Sequence, residues 1–358
     1  MKTVVLDKIA SVTRSCQLKR EVRLSPEIPC AEGVVVAVRV LTDQSSDNQL
    51  ELPSGRMAQV KRGDVLAGAL GHRQALFGYS GQLPRELAPG DRIHLLNIGG
   101  VLGVCDGINP DLGPPFECEV LGAVLHFPYL GERIGVAARI GGEPLHPSPA
   151  LHTQGVPTVA LVGSCMNCGK TAAASALVRH LTHGGLTVDG FKATGVSLRR
   201  DILAMEDSGA RNALIFTDLG VITTTGKTGP ALTRTMLTEL AARKPDVIVF
   251  ELGDGLIGTY GVDAILECED IRKAMTSVVL SANDPVAAWG GVKILRERFH
   301  IEPSVVTGPS TDNSVGVEII QEQMQVKAFN AISNGAALGD CVIDSIGLGT
   351  KFPAPVAN

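Results

Sequence analysis

Nowhere in the 358 residues are Lys and Arg gathered into a basic run, and 32 of them against 37 Asp and Glu leave a formal charge of -5. Such a balance offers no electrostatic footprint for nucleic acid or for an anionic membrane, so a small-molecule substrate is the expected partner. Also missing is any stretch of about 18 uncharged apolar residues, the length a membrane-spanning helix needs. The opening "MKTVVLDKIAS" interrupts its apolar start with Asp7 and Lys8 and has no continuous h-region. A cytoplasmic protein is expected. The eight cysteines stand at irregular positions and form no disulfide framework; they are expected as thiols packed like small hydrophobes. His72, His94, His126 and His300 show no ligand spacing, and Trp289 in "AAWGG" is read as a packing residue.

What is present points to two domains, because the chain exceeds the usual size of one hydrophobic core and is 44% hydrophobic. Over residues 1–140 the pattern is of short β-rich runs, "GVVVAVRVLT", "DRIHLLNIGGVLGVC" and "CEVLGAVLHFPYL", with turn signals between them. That spacing predicts a barrel or sandwich with little helix. Twice a Gly-Asp turn introduces an apolar run, in "KRGDVLAGALG" and "APGDRIHLLNIGG", a weak internal repeat. Residues 141–157, with four prolines and no apolar periodicity, are predicted to be a linker.

Beyond the linker the grammar changes. "TVALVG", "LTVDGFKATG", "NALIFTD", "PDVIVFELGDG", "MTSVVLSAND" and "PSVVTGP" each hold a short apolar run, and helical stretches separate most of them. Residues 158–350 are therefore predicted to be an α/β domain, a mostly parallel sheet flanked by helices, with its functional edge at the strand C-termini.

The stretch "VALVGSCMNCGKTAAASALVRHL" carries the chemistry. A strand turning through glycine-rich backbone into a helix aims several N–H groups and the positive helix end at one spot, where phosphates bind. Gly163, Ser164, Asn167, Cys168, Gly169, Lys170, Thr171 and Ala172 are the expected nucleotide contacts. Lys170 would bridge the outer phosphates, and the Thr171 hydroxyl would ligate Mg²⁺. The spacing is Gly, five residues, Gly-Lys-Thr, with Ser164 where the standard phosphate loop has its first glycine.

"GSCMNCGKT" resembles the loop of SIMIBI-class P-loop proteins, and in particular that of dethiobiotin synthetase. "GFKATG" resembles that family's lysine-bearing segment after the second strand, and "PDVIVFELGDG" its strand ending in a magnesium-binding glutamate. The resemblance implies contact of Lys192 with substrate and phosphate, Mg²⁺ ligation by Glu251, and a second magnesium aspartate near Asp207, fifteen residues after Lys192, with Glu206 as substitute. The same region also resembles the P-loop D-glutamate N-acetyltransferase family, which implies acyl-CoA chemistry instead. Neither resemblance covers the first 150 residues.

From the residues themselves, Glu251 follows the apolar run "VIVF" and should emerge at the sheet edge beside the loop. Asp254 is a candidate general base or substrate contact, or else a turn residue before Gly255. The catalytic set is thus Lys170, Lys192, Glu251 and Asp254, the metal set Thr171, Asp207 and Glu251. Arg199 and Arg200 are candidate clamps on an anionic substrate. Asp312 and Asn313 stand where nucleotide-binding sheets often contact the base, and no Asn-Lys-x-Asp guanine signature occurs, which tilts the choice to ATP.

The leading function is a magnesium- and ATP-dependent enzyme that activates a small carboxylate or amine by phosphoryl transfer, ligase- or kinase-like, in a homo-oligomer. The alternatives are an N-acyltransferase holding acetyl-CoA by its phosphates, and a GTPase switch or metallochaperone. Cys165 and Cys168 have zinc-like spacing, yet no second Cys-x-x-Cys or paired histidine completes four ligands. The Cys165→Ser, Cys168→Ser double variant should therefore keep nucleotide affinity within a few-fold under reducing conditions, with no zinc in either protein. Stoichiometric zinc lost on mutation would show a metal site instead.

Overall fold

The computed structural model describes residues 1–44, 48–129, 131–141 and 149–349. They form two compact units: residues 1–145 together with 196–200 and 216–223, and the remainder of the chain. Of the predicted linker, residues 142–148 lie outside the described residues, and 149–157 carry no regular secondary structure. No helix among the described residues is long and apolar enough to cross a membrane.

The first unit is built on an 11-stranded sheet. Within it the strands Val35–Val40, Val65–Leu70, Val101–Ile108, Arg92–Leu95 and Glu117–His126 pair successively, and the last pairs back onto the first. That ring of hydrogen bonds is a barrel. Alternation along its strands sends Val36, Val38, Leu66, Ile93, Leu102 and Val120 into one buried cluster. Both Gly-Asp turns are the same device: Gly63 and Gly90 sit at φ +94 and +97. Asp64 and Asp91 then accept from the backbone N–H three residues earlier, each at 2.7 Å.

Two short segments from the second half of the chain belong to this unit, which a division at 140 and 158 does not foresee. Ile222 packs in the barrel cluster. The Glu32 carboxylate accepts from the Ile222 and Thr223 N–H groups at 3.0 and 3.1 Å. Glu51, fully buried, accepts from the Arg199 and Arg200 N–H groups at 2.9 and 2.8 Å. Each carboxylate, Glu51 buried and Glu32 partly so, is satisfied by a pair of consecutive amides, as removal of charge from water requires.

The second unit holds a six-stranded parallel sheet in the order 212–215, 188–194, 247–252, 158–163, 277–281, 305–307. Each predicted apolar run supplies one strand. The strand Thr158–Gly163 is central, and helix α1 (Lys170–His183) follows it directly. Helix α2 (Arg200–Asp207) follows the strand Val188–Thr194. α1 turns Ala173, Ala174, Leu177, Val178 and Leu181, at helical spacing, into the cluster that covers Val159, Leu161 and Val249.

The register puts Phe191 opposite Phe250 and Lys192 opposite Glu251. Strand alternation therefore sends the two rings to one face and the two charges to the other. The rings stack at 4.8 Å between centroids. Phe250→Ala should destabilise this unit by about 3–5 kcal/mol, read as an earlier denaturation midpoint. A loss below about 1 kcal/mol would mean that the stack is not part of a tightly packed core.

Candidate functional site

The site assembles where the strands 158–163, 188–194 and 247–252 end together. Gly163 closes its strand, and a loop of six residues leads into α1, whose N-cap is Gly169 at φ +93. Asn167 also lies in the left-handed region, at φ +59. The first N–H groups of any helix lack intrahelical partners, and Gly169 has no side chain to cap them. Their donors and the helix dipole are thus left for an anion. The eight residues expected to contact nucleotide run from the strand's last residue, Gly163, through this loop into the first turn of α1.

Lys170 is 5% exposed. Its ammonium donates to the Cys165 carbonyl at 2.8 Å and the Asp254 carbonyl at 2.5 Å, with the Cys168 sulfur at 3.5 Å. The close packing needs a glycine at 163: a Cβ there would lie 2.5 Å from Cys168 Sγ and 2.7 Å from Lys170 Nζ. The loop is also tied to its neighbours, Ser164 N–H donating to the Ser281 carbonyl and Leu256 N–H to the Gly163 carbonyl.

Beside the lysine lies a buried acidic pair. The Thr171 hydroxyl is 3.2 Å from both Asp201 Oδ1 and Glu251 Oε2. Asp201 also pairs with the Lys192 ammonium. Asp201 is 6% exposed and Glu251 3%. Burial pushes the Glu251 carboxyl above its ordinary pKa, with the Asp201 charge adding to that, while Lys192, Lys170 and the Thr171 hydroxyl pull it back. Asp254, 7% exposed, stands at φ +72 just past the strand end. Burial raises its pKa too, against the Lys170 charge and a weaker pull from the Thr259 amide. That amide does not meet hydrogen-bond geometry, and neither Asp254 oxygen has a hydrogen-bond partner among the described residues.

Lys170, Thr171, Lys192, Glu251 and Asp254 are thus brought to one sheet edge. Asp207 is not. It lies exposed at the far end of α2, with Glu206 exposed beside it, while Asp201 in the first turn of the same helix takes the place beside Thr171. A helix rises about 1.5 Å per residue, so six residues separate the two acids by roughly 9 Å. Sequence reasoning missed Asp201; its available signal was an acid in the first turn of the helix that follows the Lys192 strand.

Arg199 and Arg200 belong to the β-rich unit. Their N–H groups are held by Glu51, the Arg199 guanidinium is buried with Asp218 at 3.8 Å, and Arg200 is exposed. Asp312 accepts from the Asn330 amide, and Asn313 caps the helix Ser314–Met324 through Gly316, so both have local structural partners. Trp289 is half exposed with Lys293 over its ring, and is not a core residue.

The donor chemistry suits a hard cation. Among the described residues no three His, Cys, Asp or Glu side chains converge on a metal position. A magnesium ion bound with a nucleotide takes only one or two carboxylates, with phosphates and waters completing its shell. Asp201, Glu251 and the Thr171 hydroxyl are an all-oxygen set of that kind. The two loop thiols are otherwise engaged: Cys168 is buried beside Lys170, and Cys165 Sγ accepts from the Asn283 amide at 2.9 Å.

Comparison with protein-family models and with curated protein sequences found no match. Among solved structures, the chain resembles the signal recognition particle receptor FtsY from Elizabethkingia anophelis at 17% identity and a TM-score of 0.38, over 52% of this chain and 65% of that one. It resembles a DUF1611 family protein from Anabaena variabilis at 12% identity and a TM-score of 0.41, over 58% and 63%. A third is the hydrogenase maturation factor HypB from Archaeoglobus fulgidus, at 14% and 0.33, over 51% and 86%. The chain spans less than two thirds of the length of the first two. None of these three is a dethiobiotin synthetase, and likeness at this level carries no inference about nucleotide, reaction or partner.

Proposed function

We propose that the α/β unit binds ATP with magnesium and transfers the terminal phosphoryl group to a small carboxylate or amine. The observation that supports this reading best is the Thr171 hydroxyl, 3.2 Å from each of two buried carboxylates, one residue after a lysine buried at the start of a phosphate-loop helix. An N-acyltransferase holding coenzyme A by its phosphates has no evident use for that acidic pair.

In this reading Thr171, Asp201 and Glu251 hold the magnesium ion, which supplies positive charge beside the phosphates. The Lys170 ammonium bonds to neutral carbonyls, so its charge is not cancelled by a bonded carboxylate and can turn to a phosphate. Lys192 is already paired with Asp201, which fixes both side chains at the sheet edge. The α1 N-terminus supplies further donors. Phosphoryl transfer asks for little covalent chemistry from the protein, and positioning with charge stabilisation is what these residues offer.

A thermal-shift panel of ATP, GTP and acetyl-CoA, with and without Mg²⁺, tests this directly. Wild-type protein should be stabilised by ATP with Mg²⁺, by about 2.7 kcal/mol at a hundredfold excess over Kd. Lys170→Ala should lose that stabilisation while still folding, its unliganded midpoint lowered by the two carbonyl bonds it gives up. Glu251→Gln should weaken Mg²⁺-dependent binding more than metal-free binding, because it removes charge at nearly constant shape. A preference for GTP would correct the nucleotide, and stabilisation by acetyl-CoA alone would replace the reading with acyl transfer.

A further inference from the structure

Asp254 has more invested in it than a turn residue requires. Its carboxylate is buried, and neither oxygen has a hydrogen-bond partner among the described residues. A buried carboxylate without donors is costly, and native proteins retain such groups where a ligand completes them. Its backbone is left-handed at φ +72. Glycines surround it at places where a Cβ would not fit: at 253 it would lie 2.3 Å from the Thr194 carbonyl, at 255 2.7 Å from the Ser164 carbonyl, and at 258 2.6 Å from Asp254 Oδ2 itself. Backbone is thus packed against the carboxylate on the Gly258 side, and the Lys170 ammonium holds the carbonyl of the same residue.

The charges decide what completes it. Asp201, Glu251 and Asp254 face two ammonium groups, Lys170 and Lys192, the second of which is paired with Asp201. In the reading proposed above, magnesium answers Asp201 and Glu251, and Lys170 turns to phosphate. Asp254 is then left beside added negative charge with no donor of its own. An acceptor carboxylate there would be repelled, whereas a cationic donor would both complete the Asp254 oxygens and offset the added negative charge. Turning Lys170 away from the Asp254 carbonyl also removes a tie to residues 253–258, while Leu256 N–H still holds the Gly163 carbonyl.

We propose that Asp254 is the acceptor-binding carboxylate of the site and that the acceptor it receives carries a protonated amine. This rests on the nucleotide-binding reading and narrows its acceptor to amino compounds: the ammonium anchors on Asp254 while a second group of the same molecule takes the phosphoryl group, or the amine takes it after giving its proton to the Asp254 carboxylate.

The test uses the full-length chain with Mg²⁺ and a non-hydrolysable ATP analogue, titrated with matched pairs. Each pair is a primary amino compound and its counterpart with the amine replaced by hydrogen or hydroxyl. At least one amine should bind, with its counterpart weaker by about tenfold or more, the scale of one lost buried charge contact. Asp254→Asn should abolish that discrimination while the nucleotide analogue still binds. Gly258→Ala, which keeps the charge and crowds the carboxylate, should diminish it as well. No amine binding at all, equal binding of amines and their counterparts, or discrimination preserved in Asp254→Asn would overturn the proposal. The matched pairs in the wild-type chain decide it even if a variant does not fold. A wild-type chain that binds no nucleotide would instead remove the reading beneath it.

Discussion

The Lys170 ammonium, buried at the start of α1, is bonded to two backbone carbonyls, one from its own loop and one from the turn after the strand 247–252. Much of the site depends on that placement. The strand 158–163 must end in a residue without a side chain, because any Cβ at Gly163 would strike both Lys170 and Cys168. The turn 253–258 must approach closely enough to offer the Asp254 carbonyl, which glycines at 253 and 255 permit. Bonded to carbonyls, the ammonium stays a net positive charge in a buried place, a condition held only where negative charge is close by.

That negative charge is at hand and is itself only partly compensated. Lys192 meets Asp201, while Glu251 shares the Thr171 hydroxyl with Asp201 and is driven toward its neutral form by burial and by its acidic neighbour. A cluster so arranged has its carboxylates too close to be comfortable together and too buried for water to screen them. Such strain is characteristic of sites that a cation and an anionic ligand complete jointly. The parallel sheet makes the arrangement possible, since its register places Lys192 opposite Glu251 and strands from separated parts of the sequence end at one edge.

The phosphate loop was legible in the sequence because its signal is local: strand, glycine-rich turn, lysine and helix are contiguous. Glu251 was legible for a related reason, as a polar residue at the end of an apolar run, and Lys192 through the resemblance of the segment that carries it. Asp201 was not, because its role depends on where α2 begins relative to the sheet edge, and the spacing taken from a resemblance pointed to Asp207 at the helix's other end. The barrel could not be told from a sandwich, since inward–outward alternation is the same in both. Closure shows only in the strand 92–95 pairing with both of its neighbours. Nor could any local pattern reveal that Glu32 and Glu51 reach amides at 222–223 and 199–200, contacts between residues 148 to 191 positions apart.

The most direct test of the site as a nucleotide–metal centre is Mn²⁺ binding in place of Mg²⁺, followed by electron paramagnetic resonance with the ATP analogue present. Wild-type protein, Asp201→Asn and Asp207→Asn should be compared. The account predicts nucleotide-dependent Mn²⁺ binding that Asp201→Asn weakens by about tenfold or more and Asp207→Asn leaves unchanged. Equal loss in the two variants, loss in Asp207→Asn alone, or Mn²⁺ binding indifferent to nucleotide would contradict it.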